Sequence, residues 1–241
     1  MESFAKIMEC LPQKPNGSKA LNDEITVFDR SDYEYFEVPA ETPRQLHERL
    51  IASGFPVSIA DLTFDDLTVD DKNRAKIEKA KAFAKKPQSG LYICGEFGTG
   101  KTWLAAAIGN AVARQCLRVH FETFSSITDK LITAQKNDSF SEKWEQYVHK
   151  PDLLIIDDIG KENPTEWKLQ TLFKLIDERG SADLPMVFTS NYGLAKLCER
   201  ISPDNNDSIT AGAIKDRLKC FVPLTLTGGS RRRRFDQNEG E

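Results

Sequence analysis

A glycine-rich loop that ends in lysine and threonine offers the clearest chemistry in this sequence. Residues 95–102 read GEFGTGKT and fit the pattern GxxxxGK[ST], between a predicted strand and a predicted helix. The glycines let the backbone wrap closely around a phosphate, and the following helix presents unpaired N–H groups and a positive dipole end. We therefore expect triphosphate binding, in which Lys101 reaches the β and γ oxygens and Thr102 is a ligand of Mg²⁺. The simpler alternative is a glycine-rich turn that only caps a helix.

A second candidate is an apolar run that ends in two carboxylates. Residues 153–158 read LLIIDD, and Asp157 follows Thr102 by 55 residues. A buried strand delivers side chains at its carboxyl end to the edge where open α/β sheets bind ligands. On this placement Asp157 holds Mg²⁺ and Asp158 orients the attacking water. By itself, an apolar strand that ends in two aspartates is usually just a strand entering a turn.

Cleavage of a γ-phosphate also needs a polar group that positions water and cations that absorb the developing charge. Asn191 follows the next predicted strand and is placed to contact water or the γ-phosphate, although it could instead form a turn before Gly193. Arg217 lies on a late predicted helix and could serve the nucleotide of a neighbouring subunit. The alternative for Arg217 is a surface arginine paired with an acid.

These residues need a scaffold, and the sequence from Leu91 onward predicts a parallel sheet covered by helices on both faces. The predicted strands are Leu91–Cys94, Arg118–Phe121, Leu153–Asp157, Met186–Thr189 and Phe221–Leu226. The predicted helices are 43–53, 72–86, Lys101–Arg114, Ile127–Gln135, Trp144–Val148, Glu166–Arg179, Leu194–Arg200 and Ala211–Leu218. The fold class is therefore α/β.

Composition is that of an ordinary folded protein. The chain has 241 residues, of which 39% are hydrophobic and 29% charged, and this excludes disordered and collagen-like classes. The five cysteines lie at least 22 residues apart, so no CxxC pair is present to bind zinc, and we expect reduced core thiols. No apolar run approaches the roughly 18 residues that span a bilayer, and the N-terminus does not resemble an export signal. A cytoplasmic location without a membrane partner is expected.

The charge distribution predicts a separate segment at the start of the chain. The net charge is −4, and residues 1–60 hold 10 acidic and 6 basic side chains, so the acidic excess lies there. This balance argues against a general nucleic-acid coat, although the basic strip at 231–234 could still meet phosphates.

Several segments together resemble a known family. GEFGTGKTWLAAAIGNA, LLIIDDIG, FTSN, IKDRL and TGGSRRR occur in the order and spacing typical of the AAA+ ATPases that load bacterial replicative helicases, the DnaC/DnaI type of the IstB-like group. The resemblance covers about residues 53–234. It implies a P-loop NTPase (AAA+) with a five-stranded parallel sheet, no C-terminal lid domain and a small N-terminal module.

The resemblance also implies roles for individual residues, with ATP and Mg²⁺ as cofactors. Nucleotide contacts are implied for Gly95, Glu96, Phe97, Gly98, Thr99, Gly100, Lys101, Thr102 and Trp103. Asn191 is implied to be sensor 1 and Arg217 the arginine finger. Arg232 is implied to be the sensor 2 arginine, although four arginines in a row make this last assignment uncertain by one position. Because Asp158 stands where many AAA+ enzymes have glutamate, slow and partner-regulated hydrolysis is expected.

Contacts to single-stranded DNA are implied for Phe140, Thr165 and Trp167. An indole suits this role, since a base stacked on an aromatic ring contributes about 1–3 kcal/mol without demanding sequence. Trp167 could equally be a residue of an amphipathic helix that covers the sheet.

The leading hypothesis is an ATP-dependent loader of a hexameric DnaB-type helicase onto single-stranded DNA. Residues 1–60 are expected to form a helicase-interaction module, 61–90 a linker and connecting helix, 91–235 a self-associating ATPase domain, and 236–241 a tail. An IstB-type transposition helper is the nearest alternative, because it has the same ATPase core and acts with a transposase on duplex DNA. A P-loop kinase of small molecules is a further alternative.

Overall fold

The computed structural model describes residues 41–161, 163, 165–202 and 208–228. The chain divides into two units between Thr42 and Pro43, and nearly all of the first unit lies outside the described residues. The boundary that the sequence predicted near residue 60 differs from this division. The physical reason is that Leu46, Leu50 and Phe55, which precede residue 60, are buried in the same core as the sheet.

Five parallel strands form the centre of the second unit, and the predicted five-stranded sheet is confirmed. The strands are β1 (Gly90–Gly95), β2 (Val119–Thr123), β3 (Leu153–Ile159), β4 (Met186–Ser190) and β5 (Val222–Leu226). They lie in the order β2-β3-β4-β1-β5, and every neighbouring pair is parallel. The carboxyl ends of β3, β4 and β1 therefore lie side by side at one edge of the sheet.

Eight α-helices lie within the described ranges and cover both faces of the sheet. They are α1 (Pro43–Ala52), α2 (Arg74–Lys85), α3 (Lys101–Ala113), α4 (Phe124–Lys136), α5 (Phe140–Val148), α6 (Glu166–Ser181), α7 (Leu194–Ile201) and α8 (Ser208–Leu218). Successive strand residues point to opposite faces. Alternate residues of β1 and β3 accordingly pack in two cores, one shared with α1–α3 and the other with α4–α8.

Three helices begin earlier than the sequence predicted, and one of them is α8, which begins at Ser208 instead of Ala211. The α4 helix begins at Phe124 instead of Ile127, because the Thr123 hydroxyl accepts a hydrogen bond from the Ser126 N–H at 3.2 Å and caps the helix there. The α5 helix begins at Phe140 instead of Trp144, and the two rings stack with centroids 5.8 Å apart. One added turn of helix brings Phe140 onto the face that Trp144 occupies.

The expectation that the cysteines are core thiols is correct for Cys94 and Cys198 but wrong for Cys116 and Cys220, which are exposed. Cys116 follows α3 in a turn with φ 61°, and Cys220 lies in the turn before β5. Cys10 lies outside the described residues. Among the described helices, none is long and apolar enough to cross a membrane.

A buried charge cluster fixes the end of β2 to the two helices that follow. Glu122 is buried and accepts hydrogen bonds from Ser126 and, at 3.0 Å, from the Tyr147 hydroxyl. It also pairs with Lys130 and with His120. Although burial raises its pKa, hydrogen bonds from these neighbours lower the pKa of Glu122 to about 2.

Candidate functional site

The glycine-rich loop lies between β1 and α3, as its sequence context predicted. Gly100 has φ 92° directly before α3, a conformation that favours glycine. At Gly95, a Cβ would lie only 2.3 Å from the Leu226 carbonyl oxygen of β5. The close approach of β5 therefore requires glycine at position 95, and the backbone conformation favours glycine at position 100.

Lys101 lies within this loop and is buried. Its ammonium donates to the carbonyl oxygens of Gly95 and Glu96, at 3.0 and 2.8 Å. The side chain thus folds back onto the start of the loop, close to the helix N-terminus at which a phosphate would bind.

Several residues in and next to the loop are exposed. Phe97 and Trp103 are exposed, with 66% and 50% of their surface accessible, and Glu96 is exposed beside them. Thr99 is buried, and its hydroxyl donates to the Glu96 carbonyl oxygen at 2.9 Å. Contacts from Glu96, Phe97 and Trp103 to a nucleotide stay predictions.

Asp157 reaches the loop from β3, which is separated from β1 by β4. The Thr102 hydroxyl lies 3.1 and 3.2 Å from its two carboxylate oxygens. Burial raises the pKa of the Asp157 carboxyl above its ordinary value, against hydrogen bonds from Thr189 and Thr102 that lower it. A buried carboxylate beside a hydroxyl is a pair of hard oxygen donors and fits the coordination preference of Mg²⁺.

Asp158 turns toward β4 through an irregularity in the sheet. It has φ 62°, and the register between β3 and β4 shifts between Ile156 and Ile159. A bulge of this kind re-aims a side chain at the edge of a sheet. As a result, the Asn191 amide donates to the Asp158 carboxylate at 3.0 Å. The structure thus brings Lys101, Thr102, Asp157, Asp158 and Asn191 together, and their catalytic roles stay predictions.

Sequence reasoning assigned no role to Thr189, which joins the two aspartates. The Thr189 side chain is buried; its hydroxyl donates to Asp157 at 2.6 Å and accepts from the Asp158 N–H at 2.8 Å. The signal that could have found it is its place in the motif FTSN, two residues before Asn191, at the same strand end.

Lys161 and Arg200 were also missed, and both act on the loop that follows β3. The Lys161 ammonium lies 3.0 Å from a carboxylate oxygen of Asp158. The Arg200 guanidinium donates to the Gly160 carbonyl oxygen at 3.0 Å and lies 4.6 Å from the centre of the Tyr192 ring. No motif marks these residues, because Lys161 meets Asp158 only through the local turn at Gly160, and Arg200 binds a backbone atom that is distant in sequence.

Arg217 is engaged within its own chain. Its guanidinium pairs with Asp177 of α6, with Nε 2.9 Å from the carboxylate, and lies 4.4 Å from the centre of the Phe173 ring. This contact agrees with the alternative interpretation of Arg217, in which a surface arginine pairs with an acid. The finger role stays a prediction, and Arg232 lies outside the described residues.

The three residues predicted to contact DNA have structural partners. Thr165 caps α6, since its hydroxyl accepts from the Lys168 N–H at 3.3 Å. Trp167 and Phe140 are half-buried and pack against the core on the α4–α8 face. The packing of Trp167 agrees with its alternative interpretation as a cover of the sheet, and contact of these residues with DNA stays a prediction.

Known proteins match this chain over most of its length. The family model described as IstB-like ATP binding protein matches residues 37–238. The replicative helicase loader DnaI of Bacillus subtilis (strain 168) is 26% identical in an alignment of 259 positions, which covers 96% of this chain and 83% of DnaI.

Two crystal structures have a similar fold. A crystal structure of DnaI superposes with a TM-score of 0.60 at 26% identity, covering 74% of this chain and 94% of the chain in that structure. Domain III of the Thermotoga maritima replication initiation protein DnaA gives a TM-score of 0.59 at 28% identity, covering 69% and 67%. The AAA+ fold expected from the sequence is confirmed.

Proposed function

Because this chain belongs to the IstB-like ATP-binding family, we propose that it is an ATP-dependent loader that binds a hexameric DnaB-type helicase and delivers it onto single-stranded DNA. The observation that supports this proposal best is the similarity to the loader DnaI, which extends over 96% of the chain. A likeness confined to the ATPase core would support nucleotide binding alone.

The proposed nucleotide site is the glycine-rich loop. Lys101 would leave the carbonyl oxygens it now contacts and bind the β and γ oxygens of ATP, since a phosphate offers it charge as well as hydrogen bonds. Thr102 and Asp157 would hold Mg²⁺, which neutralises charge on the phosphate oxygens when bound.

The proposed hydrolytic groups are Asp158 and Asn191, which already form a hydrogen bond. Asp158 would accept a hydrogen bond from the attacking water, and Asn191 would fix the direction of that carboxylate. Both side chains reach this point from the ends of neighbouring strands, so the sheet sets their separation. ATP hydrolysis to ADP and phosphate is the proposed reaction, and we expect it to be slow.

Self-association is proposed to place Arg217 of one subunit at the nucleotide of the next. The Arg217 side chain is 36% exposed and the Asp177 side chain 42%, so a neighbouring phosphate could compete with the carboxylate for the guanidinium. A phosphate can bind the arginine fork in the same bidentate manner. Arg217 would therefore exchange partners when subunits assemble.

Single-stranded DNA is proposed to contact the start of α5 and the start of α6. Phe140 opens α5, while Thr165 and Trp167 lie at the N-terminus of α6. Helix N-termini suit backbone phosphates, and half-buried aromatic rings suit stacked bases.

Helicase capture is the decisive experiment for the proposed function. The purified chain is incubated with the DnaB-type helicase of its own organism, with and without ATP, and the complex is isolated by size-exclusion chromatography. We expect a complex whose stability depends on ATP. Binding only to a transposase and duplex DNA would instead favour the transposition helper.

A matched pair of lysine variants tests the ATP dependence. Lys101→Ala should abolish ATP binding because the loop loses its cation, whereas Lys79→Ala, an exposed lysine of α2, should bind ATP like the parent. Isothermal titration with a non-hydrolysable ATP analogue gives the affinities. Equal affinity for the two variants would contradict the assignment of the loop.

A further inference from the structure

The carboxylate of Asp158 is held on both of its oxygens. Asn191 donates to Oδ1 at 3.0 Å, and the Lys161 ammonium lies 3.0 Å from Oδ2. The Asn191 contact comes from the end of β4, whereas the Lys161 contact comes from the loop after β3. The two partners thus bind different oxygens of the same carboxylate.

The loop that presents Lys161 is itself fixed. Gly160 has φ 85°, and a Cβ there would lie 2.5 Å from Cδ1 of Leu197 in α7. Arg200, also from α7, binds the Gly160 carbonyl oxygen at 3.0 Å. Because α7 holds the backbone of the preceding residue, Lys161 starts from a defined position beside Asp158.

The Lys161 contact affects how Asp158 can orient the attacking water. A carboxylate that orients water must offer that water a lone pair in the right direction. The Lys161 ammonium lies against Oδ2, so it occupies that oxygen and holds the side chain in one orientation. The Asn191 amide is uncharged, and a hydrogen bond from an uncharged donor is weaker than one from an ammonium. The ion pair is therefore the contact that opposes the use of Asp158 in hydrolysis.

We propose that Lys161 is a positioning residue that restrains Asp158 and slows ATP hydrolysis. The proposal rests on the proposed function, in which Asp158 orients the attacking water. The Lys161 side chain is 69% exposed, so the restraint has the modest strength of a surface ion pair and is open to competition by other charged groups.

The test is steady-state ATP hydrolysis by Lys161→Ala. We expect kcat to rise about two- to fivefold, the scale of one exposed ion pair. KM should stay unchanged, because the ammonium acts on Asp158 and not on the glycine-rich loop. Lys161→Arg should retain the parental kcat, since it keeps a cation at this position.

Two further variants separate this effect from a general loss of charge. Lys196→Ala makes the same charge change on α7, where the ammonium lies 5.7 Å from the centre of the Tyr192 ring, and should leave kcat unchanged. In the double variant Lys161→Ala with Asp158→Asn, the gain should disappear, because the freed carboxylate is absent.

The outcomes distinguish this proposal from the proposed function. If the parent hydrolyses ATP and Lys161→Ala is equal to it or slower, the restraint is refuted while the ATPase assignment stands. A gain shared by Lys196→Ala would also refute it, since charge alone would then explain the result. If neither the parent nor Lys161→Ala hydrolyses ATP, both proposals fail.

Discussion

Replacement of Thr189 by valine tests how the site is held together. The hydroxyl of this buried residue donates to Asp157 at 2.6 Å and accepts from the Asp158 N–H at 2.8 Å. Valine has nearly the same shape, so it removes both hydrogen bonds without opening a cavity. It leaves the Asp158 N–H without that acceptor and leaves Asp157 with the Thr102 hydroxyl as a donor.

The expected loss of stability follows from these two contacts. A buried donor that loses its partner costs about 1–3 kcal/mol, and a hydrogen bond to a charged group contributes about 1.5–3 kcal/mol. Because Asp158 is partly accessible to water, which can replace some of the lost bonding, we expect Thr189→Val to lower the free energy of unfolding by about 2–4 kcal/mol. ATP hydrolysis should also fall, since both aspartates lose a common support.

Urea unfolding and ATP turnover measure the two effects, and the chain offers matched controls. Thr171→Val removes a buried hydroxyl that donates to the Trp167 carbonyl oxygen within α6 at 2.7 Å, so it should cost less and leave turnover unchanged. Thr189→Ser should have a stability and an ATP turnover close to those of the parent, because it keeps the hydroxyl. If Thr189→Val is as stable as Thr171→Val and as active as the parent, Thr189 does not support the two aspartates.

Three further predictions concern other parts of the molecule. Glu122→Gln should remove about 2–3 kcal/mol of stability at neutral pH. This value is lower than the full pKa shift implies, because solvent screens the ion pair with the half-exposed Lys130. Since the pKa of Glu122 falls from 4.5 to about 2 on folding, this stability is present above about pH 4.5 and lost as pH falls toward 2, and acid unfolding of the variant should lack that dependence. Arg217→Ala should retain ATP binding but lose stimulated hydrolysis in the assembled state; unchanged turnover there would contradict the finger role. Trp167→Ala should weaken binding of single-stranded DNA in a fluorescence anisotropy titration, while Trp167→Phe retains most of it; an insoluble alanine variant would favour the role of Trp167 in covering the sheet.

The sheet was predictable from the sequence because its central strands are uninterrupted apolar runs. Residues 153–156 of β3 have no accessible surface, and a strand covered on both faces shows continuous hydrophobicity instead of alternation. The first residues of α4 and α5 were less predictable. Ser125 and Ser126 add a polar first turn to α4, and polar residues at that position break the apolar periodicity on which helix prediction depends.

The candidate site was predictable where a motif requires a residue type, and not where a partner is supplied by the fold. Lys101 and Asp157 belong to patterns whose chemistry needs a cation and a carboxylate. Lys161 and Arg200 follow no pattern, since one acts through a surface ion pair and the other through a backbone carbonyl. The Arg200 contact becomes visible only when the loop after β3 and the helix α7 are placed together, and the Lys161 contact only when the turn at Gly160 brings Lys161 back to Asp158.

Thr189 connects the two aspartates through different kinds of atom. The side chains of consecutive strand residues point to opposite faces, and those of Asp157 and Asp158 accordingly bind Thr189 and Asn191. Thr189 nevertheless contacts both residues, because its hydroxyl donates to the Asp157 carboxylate and accepts from the Asp158 backbone N–H. The positive φ of Asp158 and the register shift before Ile159 re-aim the Asp158 side chain at the end of β3. Aspartate adopts positive φ in many turns, so its presence in the sequence does not by itself predict these contacts. One hydroxyl therefore links the proposed magnesium ligand to the proposed water-orienting residue, and its removal tests that link more directly than a change in either carboxylate.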